Sequence, residues 1–387
     1  MELPRGSIGG STVLDDVYAK LGVRRVLNAT CHWTRFGGTI MPPPVLDAMC
    51  AAADAYVDLH ELQDAASRVI AEHTHAQAGY VVSGCAAALM LGAAAVMTGD
   101  DPVAMARLPD TAGLKNEWIA RPFPRRRSKS GQEYVHYGYA HAVRGAGGVF
   151  VERLDGFGDR TAGVYWVPTD EPGVPSPEEA IALAHDHGVP ILIDASNTLP
   201  PPEHLHRFLD AGADLVGFSG GKGLRGPQGS GILAGRADLV RAARMQGAPT
   251  QGIGRVCKVS KEEVVGLITA LELYVRRDHR AERRAAEKRT LWLADQLGGL
   301  VNAEAEYVAK DHIGRPYPTV HLRLDPAEGL TAADLLDKLL AGSPPVAAMG
   351  GPDEWTIRLD VRELDDRDVQ RVADAVLAVL MPGSAGR

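Results

Sequence analysis

Lys222 stands in Ser219-Gly220-Gly221-Lys222-Gly223-Leu224-Arg225-Gly226-Pro227-Gln228-Gly229-Ser230-Gly231, one lysine among six glycines. It follows the apolar run Ala213-Asp214-Leu215-Val216-Gly217-Phe218, which reads as a buried strand. An unpaired ammonium at the end of such a strand is costly, so this residue needs an anionic partner or a covalent task. A second apolar strand, Val189-Pro190-Ile191-Leu192-Ile193-Asp194, ends in a carboxylate 28 residues before Lys222. That spacing is about one strand–helix–strand unit. An amine and a carboxylate at the ends of neighbouring parallel strands suit pyridoxal phosphate: the lysine forms the imine and the acid partners the pyridinium nitrogen. A nucleotide P-loop would need Gly at position 216 and Ser or Thr at 223, where this chain has Val216 and Gly223. A flexible glycine loop with a solvated lysine is the plainer alternative.

The other groups such a cofactor needs are present. Tyr80-Val81-Val82-Ser83-Gly84-Cys85-Ala86-Ala87-Ala88-Leu89 reads as strand, tight turn and helix. Exposed amides at that helix start, with the Ser83 hydroxyl, make an anion site for a phosphate. Ser219, three residues before Lys222, can bond the same group. Gly254-Arg255-Val256-Cys257-Lys258 supplies two cations, for a phosphate, for a substrate carboxylate, or as ordinary surface charge. A carboxylate at Asp194 would raise the pKa of an adjacent pyridine nitrogen by stabilising its charged form; capping the next helix is the simpler role. His136, Tyr137 and His141 fall between the phosphate turn and Asp194. His136 is chosen to stack on the ring, with a surface histidine as the alternative.

These groups need a scaffold. From residue 79 the pattern alternates: strands at 79–83, 147–153, 162–168, 189–195, 213–218 and 230–235, helices at 85–98, 176–187 and 203–211. Alternation implies a mostly parallel sheet flanked by helices, with ligands beyond the carboxyl ends of the strands. Ahead of it, a short helix is expected from Val13 to Leu21, then helices Val45 to Ala55, opened by Pro42-Pro43-Pro44, and Leu59 to Thr74. A single long helix is expected from Lys261 to Leu297, then a small α+β domain with strands 319–324 and 355–359 and helices 331–340 and 366–380. The expected domains are an N-terminal arm with helices (1–70), a large cofactor-binding α/β domain (71–260), the linking long helix (261–298) and a small C-terminal domain (299–387). The basic run Arg125-Arg126-Arg127-Ser128-Lys129 is read as a solvated loop.

Composition narrows the partners. The chain has 387 residues, 45% hydrophobic and 23% charged, enough for a full core. A net charge of −8 argues against nucleic acid as the main partner. Cys31, Cys50, Cys85 and Cys257 form no C-x-x-C pair, so neither a zinc site nor a disulfide framework is expected. Reduced thiols fit a cytoplasmic protein. Neither a signal core nor an apolar run of the roughly 18 residues a membrane span requires occurs.

Taken together, these stretches resemble the fold-type I pyridoxal phosphate enzymes, and within them the seryl-tRNA selenium transferase-like group that includes D-glucosaminate-6-phosphate ammonia-lyase. The likeness rests on Leu27-Asn28-Ala29-Thr30, Gly37-Gly38-Thr39-Ile40-Met41, Ser83-Gly84, Asp194 to Pro201, Ser219 to Gly231, and Gly254-Arg255 through Glu263, and covers roughly residues 20–380. It implies an imine at Lys222, a pyridinium partner at Asp194 and an active site at a subunit interface. The cofactor contacts are accordingly set at Ser83, Gly84, Cys85, His136, Asp194, Ser196, Ser219, Lys222 and Arg255. The chain departs from the group's pattern at Cys31, where a glycine is usual, at His32 and Trp33, where smaller residues are common, and at Ala140, where an acid is expected. Val346 to Met349 lacks an expected basic residue, and the 122–135 loop looks inserted.

The expected activity is a lyase on an amino acid or amino sugar acid. Lys222, its pKa lowered by burial and nearby cations, takes the α-proton, a β-substituent leaves, and a 2-oxo acid and ammonia result. Racemisation, β-replacement and transamination need the same residues and stay open. So, with less support, do aminoacyl-tRNA modification, which the charge and the lack of an extra N-terminal domain oppose, and a non-enzymatic cofactor carrier. For the substrate, His32, Trp33, Arg35, Lys258 and Arg358 are the candidates, with packing on a partner subunit (Trp33) or structural ion pairing (Arg35, Arg358) as alternatives. A homodimer or larger homo-oligomer is expected.

Overall fold

The computed structural model describes residues 17–128, 130–311 and 314–381. The described residues divide into two compact units, one within residues 32–282 with 314–315, the other combining residues 17–31, 283–311 and 316–381.

The larger unit is built on seven strands: β1 (Ala78–Val82), β2 (Glu117–Ile119), β3 (Val149–Val151), β4 (Thr161–Trp166), β5 (Ile191–Asp194), β6 (Leu215–Ser219) and β7 (Gly231–Gly235). Their spatial order is β1-β7-β6-β5-β4-β2-β3. The run from β6 to β3 is parallel, while β7 lies antiparallel to both its neighbours. This is the mostly parallel sheet of a fold-type I enzyme, covered on both faces. Successive side chains of a strand point to opposite faces, and the core follows that rule. Ile191, Ile193, Val216, Phe218 and Ile232 join one buried cluster; Tyr165, Leu192, Leu215 and Leu233 join the other. Continuous apolar strands are what a doubly covered parallel sheet requires.

Seven helices of this unit matter here: α1 (Pro43–Ala53), α2 (Leu59–Thr74), α3 (Gly84–Thr98), α4 (Pro177–Asp186), α5 (Ala237–Gln246), α6 (Lys261–Arg276) and the start of α7 (His279–Leu297). Helix α3 is rich in alanine, the best helix former, and eleven of its fifteen residues are buried. It packs between β6, β7 and α5, so it is apolar all round rather than striped.

The strand Ala303–Val308 was not expected, and the helix expected at 203–211 is a 3-10 turn, Pro202–Leu205, followed by the short helix Arg207–Asp210. Other features also differ from the sequence reading. The helix expected to run unbroken from 261 is two: Arg277 is extended (ψ 141°), and Asp278 accepts a hydrogen bond from the Ala281 amide at 2.9 Å, restarting the helix as a carboxylate cap does. Short strand β2 and helix α5 were not expected; three residues in Glu117–Ile119 are too few to show a period. The supposed basic loop is a hairpin in which Arg125–Arg127 pairs antiparallel with Glu133–Val135. Its arginines are exposed, as read, and Arg125 donates to Glu152 at 3.0 Å. Of the N-terminal helix, Val17–Lys20 is found; residues 13–16, like Lys129, lie outside the described residues.

In the second unit, β8 (Ala303–Val308), β9 (Thr319–Leu324), β10 (Met349–Gly350) and β11 (Thr356–Leu359) form an antiparallel sheet in the order β8-β9-β11-β10. Helices α8 (Ala332–Ala341) and α9 (Asp366–Leu380) cover it. Leu27–Asn28 pairs in parallel with Val346–Ala347, so the N-terminal segment folds with the C-terminal sheet. Inside this unit Arg362 is buried. Its Nε and Nη2 donate to Asp360 at 2.9 and 2.6 Å, and Nη2 also reaches Asp311 at 3.1 Å. Its guanidinium lies over the Tyr317 ring, 4.6 Å from the centroid.

Candidate active site

Asp194 closes β5 and is buried. Its Oδ1 accepts from the Ser196 amide at 3.0 Å and from the Cys85 thiol at 3.7 Å; its Oδ2 accepts from the Tyr165 hydroxyl at 3.2 Å. The donors come from three elements: the β5 exit, the first turn of α3, and β4. By strand alternation Tyr165 and Asp194 project to the sheet face that α3 covers. In register beside Asp194 lies Gly217. A Cβ there would come within 3.0 Å of the Cys85 sulfur, so a larger residue would have to push the thiol aside by a few tenths of an ångström. Burial first, then the Asp194 charge, pushes the Cys85 thiol well above its usual range, with Lys222 pulling the other way. Burial and Asp194 likewise raise the Tyr165 phenol. Both groups therefore stay protonated as donors. An ionised carboxylate has roughly four acceptor positions; the hydrogen bonds found leave one for a protonated ring nitrogen.

The lysine loop is held rigidly by its own backbone. Gly220 N–H donates to Ser230 O at 2.9 Å, Gly226 N–H to Gly220 O at 2.8 Å, and Arg225 N–H to Lys222 O at 2.9 Å. Arg225 adopts φ 59° and bonds Glu282 at 2.8 Å. Lys222 is half-buried, with its Nζ 5.8 Å from the centroid of the Tyr139 ring. Because the Cys85 thiol touches Asp194 and feels the Lys222 charge, amine and carboxylate converge at the start of α3.

That start has the form of an anion cradle. Ser83 occupies the N-cap position, yet its side chain makes no cap hydrogen bond. Gly84 has φ +77° with open space where a Cβ would sit, so glycine is needed for the dihedral rather than for room. The Cys257 thiol, raised by burial, is hydrogen-bonded by Ser83. The Gly254–Lys258 segment thus runs beside the turn, with Arg255 and Lys258 exposed. These donors fit pyridoxal phosphate: amides and a hydroxyl for the phosphate, a clamped carboxylate for the ring nitrogen, and an amine for the aldehyde.

Other expected site residues are placed as follows. Residues 33–39 lie along the lysine loop: Thr39 donates from its backbone N–H to Gly221 O at 3.2 Å and from Oγ1 to Lys222 O at 3.1 Å, and Gln228 donates to Thr34 O at 2.9 Å. His32 is buried. Trp33 stacks on Phe36, and the exposed Arg35 lies over the same Phe36 ring. Ser196 contributes its amide to Asp194 and its hydroxyl to the Cys85 sulfur; Ser219 ends β6, half-buried. His136 is partly buried, its amide bonded to Pro124 O at 2.8 Å; the ring facing Lys222 is that of Tyr139. Arg358 belongs to the C-terminal unit, where it donates to Gly350 O at 2.9 Å. Tyr165 and Tyr139 were not among the residues singled out from the sequence, and Thr39 was named only within the stretch Gly37 to Met41.

Fold and site together define a pyridoxal phosphate-dependent enzyme. A family model described as L-seryl-tRNA selenium transferase matches residues 173–323. A 5'-C-glycyluridine monooxygenase-decarboxylase from a Streptomyces species is 34% identical over 90% of this chain and 87% of its own length. D-glucosaminate-6-phosphate ammonia lyase from Salmonella typhimurium is 27% identical over 92% of this chain and 94% of its own. A solved D-glucosaminate-6-phosphate ammonia-lyase structure superposes with a TM-score of 0.77 at 25% identity, covering 94% of this chain and 98% of that one. The chain belongs to the selenium transferase-like family of fold-type I pyridoxal phosphate enzymes. Among the described residues no helix is long and apolar enough to cross a membrane.

Proposed function

We propose that this enzyme is a lyase that removes the α-proton of an amino acid or amino sugar acid and expels a β-substituent, the resulting enamine then taking up water to give a 2-oxo acid and ammonia. The observation that carries the reading is the shared neighbourhood of Cys85: its thiol bonds Asp194 and feels Lys222, which supports one site containing both base and ring partner. Pyridoxal phosphate, when bound, supplies the electron sink that makes the α-proton acidic. Lys222 takes that proton as general base, and Asp194 keeps a proton on the ring nitrogen. Tyr165 and Cys85 fix the orientation of Asp194. Ser83, the amides from Gly84 onward and Ser219 hold the phosphate, with Arg255 beside them. His32, Trp33 and Arg35 are the candidates for the substrate side, and Arg35 or Lys258 would receive the substrate carboxylate. A panel of β-substituted amino acids and amino sugar acids, assayed for 2-oxo acid and ammonia without an amino acceptor, tests the reading; turnover only with an added acceptor overturns it.

The 34% identity to a monooxygenase-decarboxylase favours a second reading, oxygen-dependent loss of the α-carboxylate. The same residues would serve, with the bond broken at the α-carbon changed. Oxygen uptake coupled to carbon dioxide release separates it from elimination, which consumes no oxygen and keeps the carboxylate.

A further inference from the structure

Away from the cofactor site, three donor side chains meet on the surface of the larger unit. His75 caps the C-terminus of α2 in a left-handed conformation, φ 60°. His206 caps and Asp210 ends the short helical turn Arg207–Asp210; four residues apart, they share one face. The His75 Nδ1 donates to Asp210 Oδ1 at 2.7 Å, and the His206 Nδ1 to Asp210 Oδ2 at 2.6 Å. The two imidazoles overlap at 4.4 Å between centroids and 26° between planes. One ligand atom from each of the three residues lies within 4.8 Å of the others.

The geometry points to a binding site for a borderline divalent transition ion, such as Zn²⁺, on His75, His206 and Asp210. Two imidazole nitrogens with one carboxylate suit zinc, which takes N and O donors at about 2.0–2.1 Å and fills a fourth tetrahedral position with water. The hydrogen-bonded atoms would have to open to about 3.3 Å, the edge of such a tetrahedron. The side chains have that freedom, being 54%, 36% and 46% exposed for His75, His206 and Asp210. No proton need be lost, because each ring can move its proton to the outward Nε2 and turn the Nδ1 lone pair inward. The carboxylate already presents one oxygen to each ring. The ion would tie the end of α2 to the 206–210 turn. Cysteine spacing carries no trace of this site, because its donors are 131 and 4 residues apart in sequence and none is a thiol.

The test is a Co²⁺ titration of the full-length chain without a histidine tag, read by visible d–d absorption and by Zn²⁺ displacement, with the melting temperature followed in parallel. The expected result is one ion per chain and a Zn²⁺-dependent rise in Tm. His206→Ala and Asp210→Asn should each weaken binding by at least the roughly 10–100-fold that loss of an outer-shell partner costs. His75→Asn, which tolerates the left-handed backbone, should do the same while its circular dichroism and cofactor absorbance stay those of the parent. Binding that is unchanged in all three variants, or absent from the parent at millimolar ion, overturns the proposal and leaves the cluster a hydrogen-bonded helix end.

Discussion

Tyr165 and Asp194, 29 residues apart, meet through a 3.2 Å hydrogen bond in which the phenol donates to the carboxylate. The bond spans two paired parallel strands and holds Oδ2, while the Ser196 amide holds Oδ1. A hydrogen bond to a charged group contributes about 1.5–3 kcal/mol. Tyr165→Phe should therefore bind pyridoxal phosphate yet lose roughly 10–100-fold in kcat/KM. The pH titration of its cofactor absorbance should also shift, because the ring nitrogen's partner is less well held. An unchanged absorbance titration in this variant would show that Tyr165 does not act through Asp194.

Lys222→Ala should leave the fold intact and remove both the covalent attachment and the base. Turnover should fall by about 10²–10⁴-fold for loss of a general base alone, and more for the attachment. Borohydride reduction followed by mass spectrometry checks the attachment: the parent should carry a phosphopyridoxyl group on the peptide containing Lys222, and the variant none.

His204 gives the fold a pH dependence near neutrality. Burial depresses its imidazole below the ordinary 6.5, opposed by a hydrogen bond to Thr198 O and reinforced by Arg207 and Arg315. The unfolded chain then binds the proton more readily than the folded one, so this contribution is complete above about 6.5 and shrinks as pH falls through the depressed folded value. Urea midpoints at about pH 7.5 and about pH 5.5 should differ in the parent, and His204→Gln should narrow the gap. A gap of equal size in both would remove His204 from the account.

Asp360→Asn tests the buried ion pair of the C-terminal unit. Removing one partner of such a pair costs about 3–5 kcal/mol, because a charge stays buried without compensation. A denaturation midpoint within error of the parent would mean that Asp311 alone can hold Arg362.

How legible was this in the sequence? The strand carrying Asp194 and the loop carrying Lys222 could be read because apolar runs ending in a charge are locally unusual. The Ser83-Gly84 turn could be read because a glycine there interrupts an otherwise apolar stretch. Tyr165 could not. It sits in Ala162-Gly163-Val164-Tyr165-Trp166, where a tyrosine looks like core, and its partner is reached only once β4 and β5 are paired in register. Strand parity was the usable signal, since Tyr165 and Asp194 share a face. The break after Arg276 was hidden for a different reason. Residues 276–289 are charged almost throughout, and an aspartate inside a charged run does not stand out as a cap. That the Tyr139 ring lies 5.8 Å from the Lys222 Nζ could not be read, because side-chain direction there depends on the turn at Gly138–Ala140.

Helix α3, which follows directly on the Ser83–Gly84 turn and carries Cys85, has almost no wet side. Most helices forgive mutation along a solvent stripe; this one has almost nowhere to hide a change. A saturation scan of residues 85–98 should give a solid block of intolerance in place of a repeating pattern, and any engineering of the cofactor pocket has to start from the loops at its mouth.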